Sequence, residues 1–177
     1  GKQYLCDLGA YGTEGRLPGR PYVFNGKRGG YGAMMMIGTF SQYATVPQIS
    51  LVRVGDKDPL DKAALVGCGV PTGWGAAVNA ADVRAGETVV IYGVGGVGSN
   101  AVQGAKFAGA SNLIAVDPLL NKRENALRFG ATHTVNAKSV EDVVKAVLKL
   151  TGGGADYAIE CVGVGAVVGQ AVNVLGK

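Results

Sequence analysis

The chain is poor in the residues that staple, anchor or strongly charge a protein. Its three cysteines, Cys6, Cys68 and Cys161, are widely spaced and odd in number. Such a set argues against a disulfide framework and makes a reducing cytoplasm the simpler setting. No apolar run reaches the length needed to cross a bilayer, and no stretch reads as a signal peptide. Charged residues are 17% of the chain and hydrophobic ones 47%, which places it among globular proteins and excludes disorder. The net charge of +4 is spread along the sequence. Its densest basic stretch, residues 16–28, holds Arg16, Arg20, Lys27 and Arg28. Aromatic stacking positions do not recur with those charges, so it reads as a solvated loop and not as a nucleic-acid surface. At 177 residues there is room for one domain, or one domain and a piece of another.

Glycine is abundant, with 30 residues, and one cluster of it organises the chain. The stretch runs from Glu87 to Asp117, ETVVIYGVGGVGSNAVQGAKFAGASNLIAVD. It opens on a β-rich apolar run, Thr88 to Tyr92. Gly93-Val94-Gly95-Gly96-Val97-Gly98 follows and satisfies G-x-G-x-x-G. Val97, Ala101, Val102, Ala105 and Ala108 then fall on one helical face. A second strand, Leu113 to Val116, ends on Asp117.

Each part has a physical task in dinucleotide binding. Gly93 permits the tight strand-to-helix turn. Gly95 lacks a Cβ, so a pyrophosphate can approach the backbone. Gly98 lets the helix pack close to the strand. The helix N-terminus offers unpaired N–H groups and about half a positive charge. Asp117 can accept hydrogen bonds from both hydroxyls of an adenosine ribose and would repel a 2′-phosphate, which favours NAD over NADP. A bare G-x-G-x-x-G in a glycine-rich chain can be a turn without a ligand. The strand before it, the helix after it and the acid closing the next strand favour the nucleotide.

The flanks fill in the pattern. Residues 1–37 are dense in Gly, Pro and Arg and read as loop. Met34-Met35-Met36-Ile37 is either core filler or an adaptable pocket wall. Phe40 to Val46 and Leu51 to Val54 read as strands. Asp58 or Pro59 starts a helix running through Val66; Cys68 to Gly75 breaks the pattern, and a small-residue helix spans Thr72 to Ala81. Beyond Asp117, a helix over Asn121 to Phe129 is stopped by Gly130, and His133 to Val135 is a strand. Ser139 caps a helix whose Val140, Val143, Val144, Val147 and Leu148 face inward, with Glu141 and Lys145 paired outside. Thr151 to Ala155 is a loop, Asp156 to Cys161 a fourth strand and Gly165 to Leu175 a helix. This alternation means an α/β fold with a parallel, doubly wound sheet. In the strand order 3-2-1-4, Tyr157 to Cys161 is left as an open edge. Neither Gly1 nor Lys177 looks like a natural boundary, so the chain reads as an internal fragment.

Cys68-Gly-Val-Pro-Thr-Gly-Trp-Gly75, Tyr92-Gly-Val-Gly-Gly-Val-Gly98, Ile114-Ala-Val-Asp117 and Phe129-Gly-Ala-Thr132 resemble the zinc-containing alcohol dehydrogenases of the medium-chain dehydrogenase/reductase family. The resemblance covers nearly the whole chain. Leu5-Cys-Asp-Leu-Gly9 and Leu65 to Gly75 look closest to the actinobacterial nicotinoprotein branch (NDMA-dependent), whose members hold NAD tightly and recycle it with a nitroso acceptor.

That resemblance implies a remnant of a β-rich GroES-like catalytic domain over residues 1–71, followed by an incomplete Rossmann domain over 72–177. It implies that Cys68 is a thiolate ligand of a catalytic zinc and that Cys6 is the last of four cysteines around a structural zinc. The remaining zinc ligands and the proton relay would lie before Gly1. His133 falls too late in the chain for any of these roles, and Cys161 is expected in the core. On the nucleotide side, Gly93, Gly95, Gly96, Val97 and Gly98 match the pyrophosphate loop and Asp117 the ribose acid. Lys122 matches a ribose-contacting lysine, Thr72 a threonine beside the nicotinamide, and Val162 a residue near the adenine or ribose pocket. Met36 and Ile37 align loosely with the alcohol pocket.

The implied activity is hydride transfer between a primary alcohol or aldehyde and NAD, in a cytoplasmic parent protein that forms homo-oligomers. The chain alone, with one of three zinc ligands, is expected to be inactive. The alternatives are a non-catalytic NAD-binding remnant or pseudoenzyme, and a zinc-free quinone oxidoreductase, against which Cys68 and the Cys6 loop argue.

Overall fold

The computed structural model describes residues 24–27, 29–32, 41–138 and 142–176. The chain divides into two compact units, Gly1–Gly55 and Asp56–Lys177.

In the first unit, β1 (Phe24–Gly26) and β2 (Gly29–Tyr31) form a short antiparallel hairpin with Phe24 opposite Tyr31. This hairpin lies inside a stretch expected to be loop. The glycines that suggest a loop also let two very short strands turn back on each other: Gly29 sits at φ +116°. The strands expected at Phe40–Val46 and Leu51–Val54 do not form over the described residues 41–46 and 51–54. A strand needs a partner for its ladder, and these segments belong to neither of the two described sheets. Val52 is 90% exposed. Phe40 and Met34 to Ile37 lie outside the described residues.

The second unit is a four-stranded parallel sheet with helices on both faces. Its elements are α1 (Leu60–Val66), α2 (Gly69–Gly75), a π-helical turn over Ala76–Ala80, β3 (Thr88–Tyr92), α3 (Gly96–Phe107), β4 (Asn112–Val116), α4 (Leu120–Phe129), β5 (His133–Val135), α5 (Val143–Thr151), β6 (Tyr157–Glu160) and α6 (Gly165–Asn173). The sheet order is β5-β4-β3-β6. Thr88 pairs with Asn112, Val89 with Tyr157 and Ile114 with His133. This is the 3-2-1-4 order, with β5 at one edge and β6 at the other.

Burial on both faces explains the unbroken apolar runs TVVIY and LIAV. Val89, Ile91, Leu113 and Ala115 face α3, where Ala101, Val102 and Ala105 are fully buried. Val90, Tyr92, Ile114, Val116 and Val135 face α5 and α6, meeting Val143, Val147, Ala171 and Val174. Each fully buried aliphatic side chain here contributes about 1.5–3 kcal/mol relative to exposure.

Two helix starts differ from expectation. α2 begins at Gly69 and carries Pro71 in its first turn, where a missing N–H costs nothing. α5 is capped by Asp142, whose Oδ1 accepts the Lys145 amide at 2.9 Å, and not by Ser139. Ser139, Val140 and Glu141 lie outside the described residues. No helix among the described residues is long and apolar enough to cross a membrane.

Candidate nucleotide site

The C-terminal ends of β3, β4 and β6 meet at one point, and the glycine turn sits on it. β3 runs into Gly93, whose amide donates to the Val116 carbonyl at 2.8 Å and whose φ is +80°. An L side chain there is strained, and a Cβ would lie 2.6 Å from Cγ2 of Val162. At Gly98 a Cβ would collide with the Gly93 carbonyl oxygen, so α3 approaches the strand only because Gly98 has none. Gly95, the residue capping α3, differs from both. Nothing lies within 4 Å of the place its Cβ would occupy, and the same holds at Gly96. The turn is therefore packed tightly underneath and open on its upper side. The first amides of α3 have no carbonyl partner within the helix and add a partial positive charge there.

Asp117 closes β4. It is 7% exposed and the one buried acidic side chain among the described residues. Its Oδ2 accepts the Val94 amide at 2.9 Å and its Oδ1 the Leu119 amide at 2.8 Å. The carboxylate thus lies against the glycine turn and helps to hold it. Lys122 and Arg123 follow on α4, both half-buried. Arg123, which the sequence did not single out, donates from Nη1 to the Asp117 main-chain carbonyl at 2.8 Å.

Val162 and Cys161 belong to the loop after β6, across β3 from Asp117. The Cys161 amide extends the ladder by donating to the Tyr92 carbonyl at 2.9 Å. Cys161 is half-buried and not a core residue; its Cβ lies 3.6 Å from the place a Gly98 Cβ would occupy. Burial, and then the neighbouring Glu160 carboxylate, push its thiol pKa up. Glu160 is a second residue that the motif did not mark. Its Oε1 accepts the amides of Val162 at 2.6 Å and Gly163 at 3.0 Å.

Thr72 and Cys68 are carried on and beside α2, which crosses α3 at close range. A Cβ on Gly73 would collide with the Val97 carbonyl, and one on Gly104 would lie 3.0 Å from the Trp74 carbonyl. Thr72, next to Gly73, thereby sits near the start of α3, and it is exposed. Cys68 is a free, exposed thiol preceding α2. Cys6 lies outside the described residues.

The arrangement suits a dinucleotide: open space over main-chain amides, and a carboxylate beside them. It does not suit zinc by itself. Among the described residues no three His, Cys, Asp or Glu side chains converge on a common point, whereas a catalytic zinc takes three protein ligands.

The profile of the family described as "Zinc-binding dehydrogenase" matches residues 96–177. The "NDMA-dependent alcohol dehydrogenase" of Amycolatopsis methanolica is 53% identical over all of this chain and 48% of its own length. The "S-(hydroxymethyl)glutathione dehydrogenase" of Saccharomyces cerevisiae is 40% identical over 92% of the chain and 44% of its own. The chain spans about half the length of the curated relatives it matches. A solved "Alcohol dehydrogenase zinc-binding domain protein" from Burkholderia ambifaria superimposes with a TM-score of 0.78 at 33% identity, covering all of this chain and 51% of that one.

Proposed function

The chain belongs to the zinc-binding alcohol dehydrogenases of the medium-chain dehydrogenase/reductase family, and from that premise we propose that it is the nucleotide-holding portion of an NAD-dependent alcohol dehydrogenase. The observation that supports this is the 2.9 Å hydrogen bond from the Val94 amide to Asp117, which joins that carboxylate to the glycine turn. When bound, the nicotinamide accepts hydride from the carbon of a primary alcohol.

This chain's own residues bind and orient. The amides of Gly95, Gly96 and Val97 receive the diphosphate. Gly93 and Gly98 keep strand and helix close enough for those amides to converge. Asp117 reads the ribose hydroxyls and repels a 2′-phosphate, while Lys122 follows in the first turn of α4. Thr72 lines the nicotinamide side. Cys68 is one zinc ligand and Cys6 belongs to a structural zinc site, each completed by residues outside this chain. The whole protein works on a small alcohol or aldehyde in the cytoplasm and assembles as a homo-oligomer.

The test has two arms. Calorimetric titration should show NAD binding and much weaker NADP binding. An alcohol oxidation assay on the isolated 177-residue chain, with NAD and added zinc, should show no turnover. Turnover above buffer would overturn the division of labour, and no NAD binding would overturn the site.

A further inference from the structure

The chain turns from Asp117 directly into α4, and Arg123 closes that turn twice. Its amide donates to the Leu119 carbonyl at 3.2 Å, and its Nη1 donates to the Asp117 main-chain carbonyl at 2.8 Å. A guanidinium this close to an acid ordinarily pairs with the carboxylate. Here it takes the neutral carbonyl of the same residue, while the carboxylate is turned to the Val94 and Leu119 amides. Among the described residues Arg123 makes no ion pair. A guanidinium has five N–H donors, and the Asp117 carbonyl is the acceptor that the described residues offer it. A half-buried cation with donors to spare thus stands beside the buried acid.

We propose that Arg123 sets how strictly the site discriminates between NAD and NADP, as the cation that a 2′-phosphate would meet beside Asp117. This rests on the nucleotide site proposed above. Dinucleotide folds that take NAD place an acid at the ribose, and those that take NADP place an arginine near it. This chain carries both within one turn. The carboxylate repels a 2′-phosphate and the guanidinium attracts it, so the two charges oppose each other in the choice of cofactor. Asp117 prevails because it stands at the ribose hydroxyls, whereas Arg123 is held on the carbonyl behind them. That anchor is main chain, so it survives any substitution of the Asp117 side chain. Without the carboxylate, the planar fork of Arg123 stays in place, and its geometry matches phosphate oxygens.

The experiment titrates the intact protein calorimetrically with NAD and with NADP. The proteins are wild type, Asp117→Gly, and Asp117→Gly combined in turn with Arg123→Ala, Arg123→Gln or Lys122→Ala. The readout is the ratio of NADP to NAD affinity, because a turn that is merely loosened weakens both cofactors and leaves the ratio in place. Asp117→Gly should raise the ratio. Adding Arg123→Ala should lower it again by about ten- to a hundredfold, the scale of a lost charge-assisted contact. Arg123→Gln keeps an N–H for the Asp117 carbonyl but not the charge. It should lower the ratio too, and it decides the question if the alanine variant does not fold. Lys122→Ala should move the ratio less than either. A ratio that Asp117→Gly fails to raise, that both Arg123 substitutions leave unmoved, or that falls furthest with Lys122→Ala overturns the role of Arg123. Failure of wild type to bind NAD instead overturns the underlying site.

Discussion

Gly95 and Gly98 stand three residues apart in one motif, yet the structure gives them opposite tasks, and alanine at each separates folding from binding. At Gly95 the φ is −79°, which any L residue tolerates, and an added methyl meets nothing within 4 Å. Alanine is a poorer cap than glycine, a cost of a few tenths to about 1 kcal/mol. Reduced freedom of the unfolded chain returns about 0.4–1 kcal/mol. Gly95→Ala should therefore leave the melting temperature nearly unchanged. Its methyl, however, enters the open space proposed above for the diphosphate. Losing one charge-assisted bond to main-chain amides costs about 1.5–3 kcal/mol, or about ten- to a hundredfold in NAD affinity. At Gly98 the methyl meets the Gly93 carbonyl, backbone that cannot swing aside. Gly98→Ala should cost about 1–3 kcal/mol of stability through overpacking, and weaken NAD as well. Thermal melts beside calorimetric titrations decide the matter. A Gly95→Ala variant that binds NAD like wild type, or that melts as low as Gly98→Ala, would refute the reasoning.

Two further substitutions follow from the same geometry. Asp117→Gly removes the acceptor of both the Val94 and Leu119 amides and, with it, the ribose contact proposed above. NAD affinity should fall about ten- to a hundredfold, stability should fall by about 1–3 kcal/mol, and discrimination against NADP should relax; titration with both cofactors reads this, and unchanged NAD affinity counts against the ribose role. Tyr92 is 1% exposed, its hydroxyl has no partner among the described residues, and burial pushes its pKa from 10.0 up to about 12. Because the folded value is the higher one, this stabilisation is complete below pH 10 and is lost as pH rises toward 12. Tyr92→Phe should remove that alkaline loss and match or exceed wild type at neutral pH, as read from urea midpoints; a neutral-pH loss above about 1 kcal/mol would mean that the hydroxyl is satisfied.

The Rossmann portion was legible in the sequence because its determinants are local. Strands buried on both faces must read as apolar runs, Gly130 must end a helix that Ala126 anchors, and the glycine spacing dictates the turn. Segments whose structure depends on distant pairing were not legible. Val52 and Val54 have strand composition, but composition does not supply a neighbouring ladder. Pro71 looked like a breaker because a one-dimensional reading cannot see that it falls in a first helical turn. In the site, the motif marked residues whose chemistry or smallness is generic to dinucleotides. It did not mark Glu160 or Arg123, which act through backbone amides and a carbonyl and so have no fixed spacing signature. A carboxylate two residues before a Val-Gly pair is the faint signal that could have found the first.

The central claim is that the amides after β3 and the acid after β4 serve one ligand. A crystal structure of the intact protein with NAD tests it most directly. The account predicts diphosphate oxygens at about 3 Å from the amides at the start of α3, with the adenosine ribose hydroxyls on the Asp117 carboxylate. Nucleotide density elsewhere in the molecule, or a ribose turned away from Asp117, would contradict it.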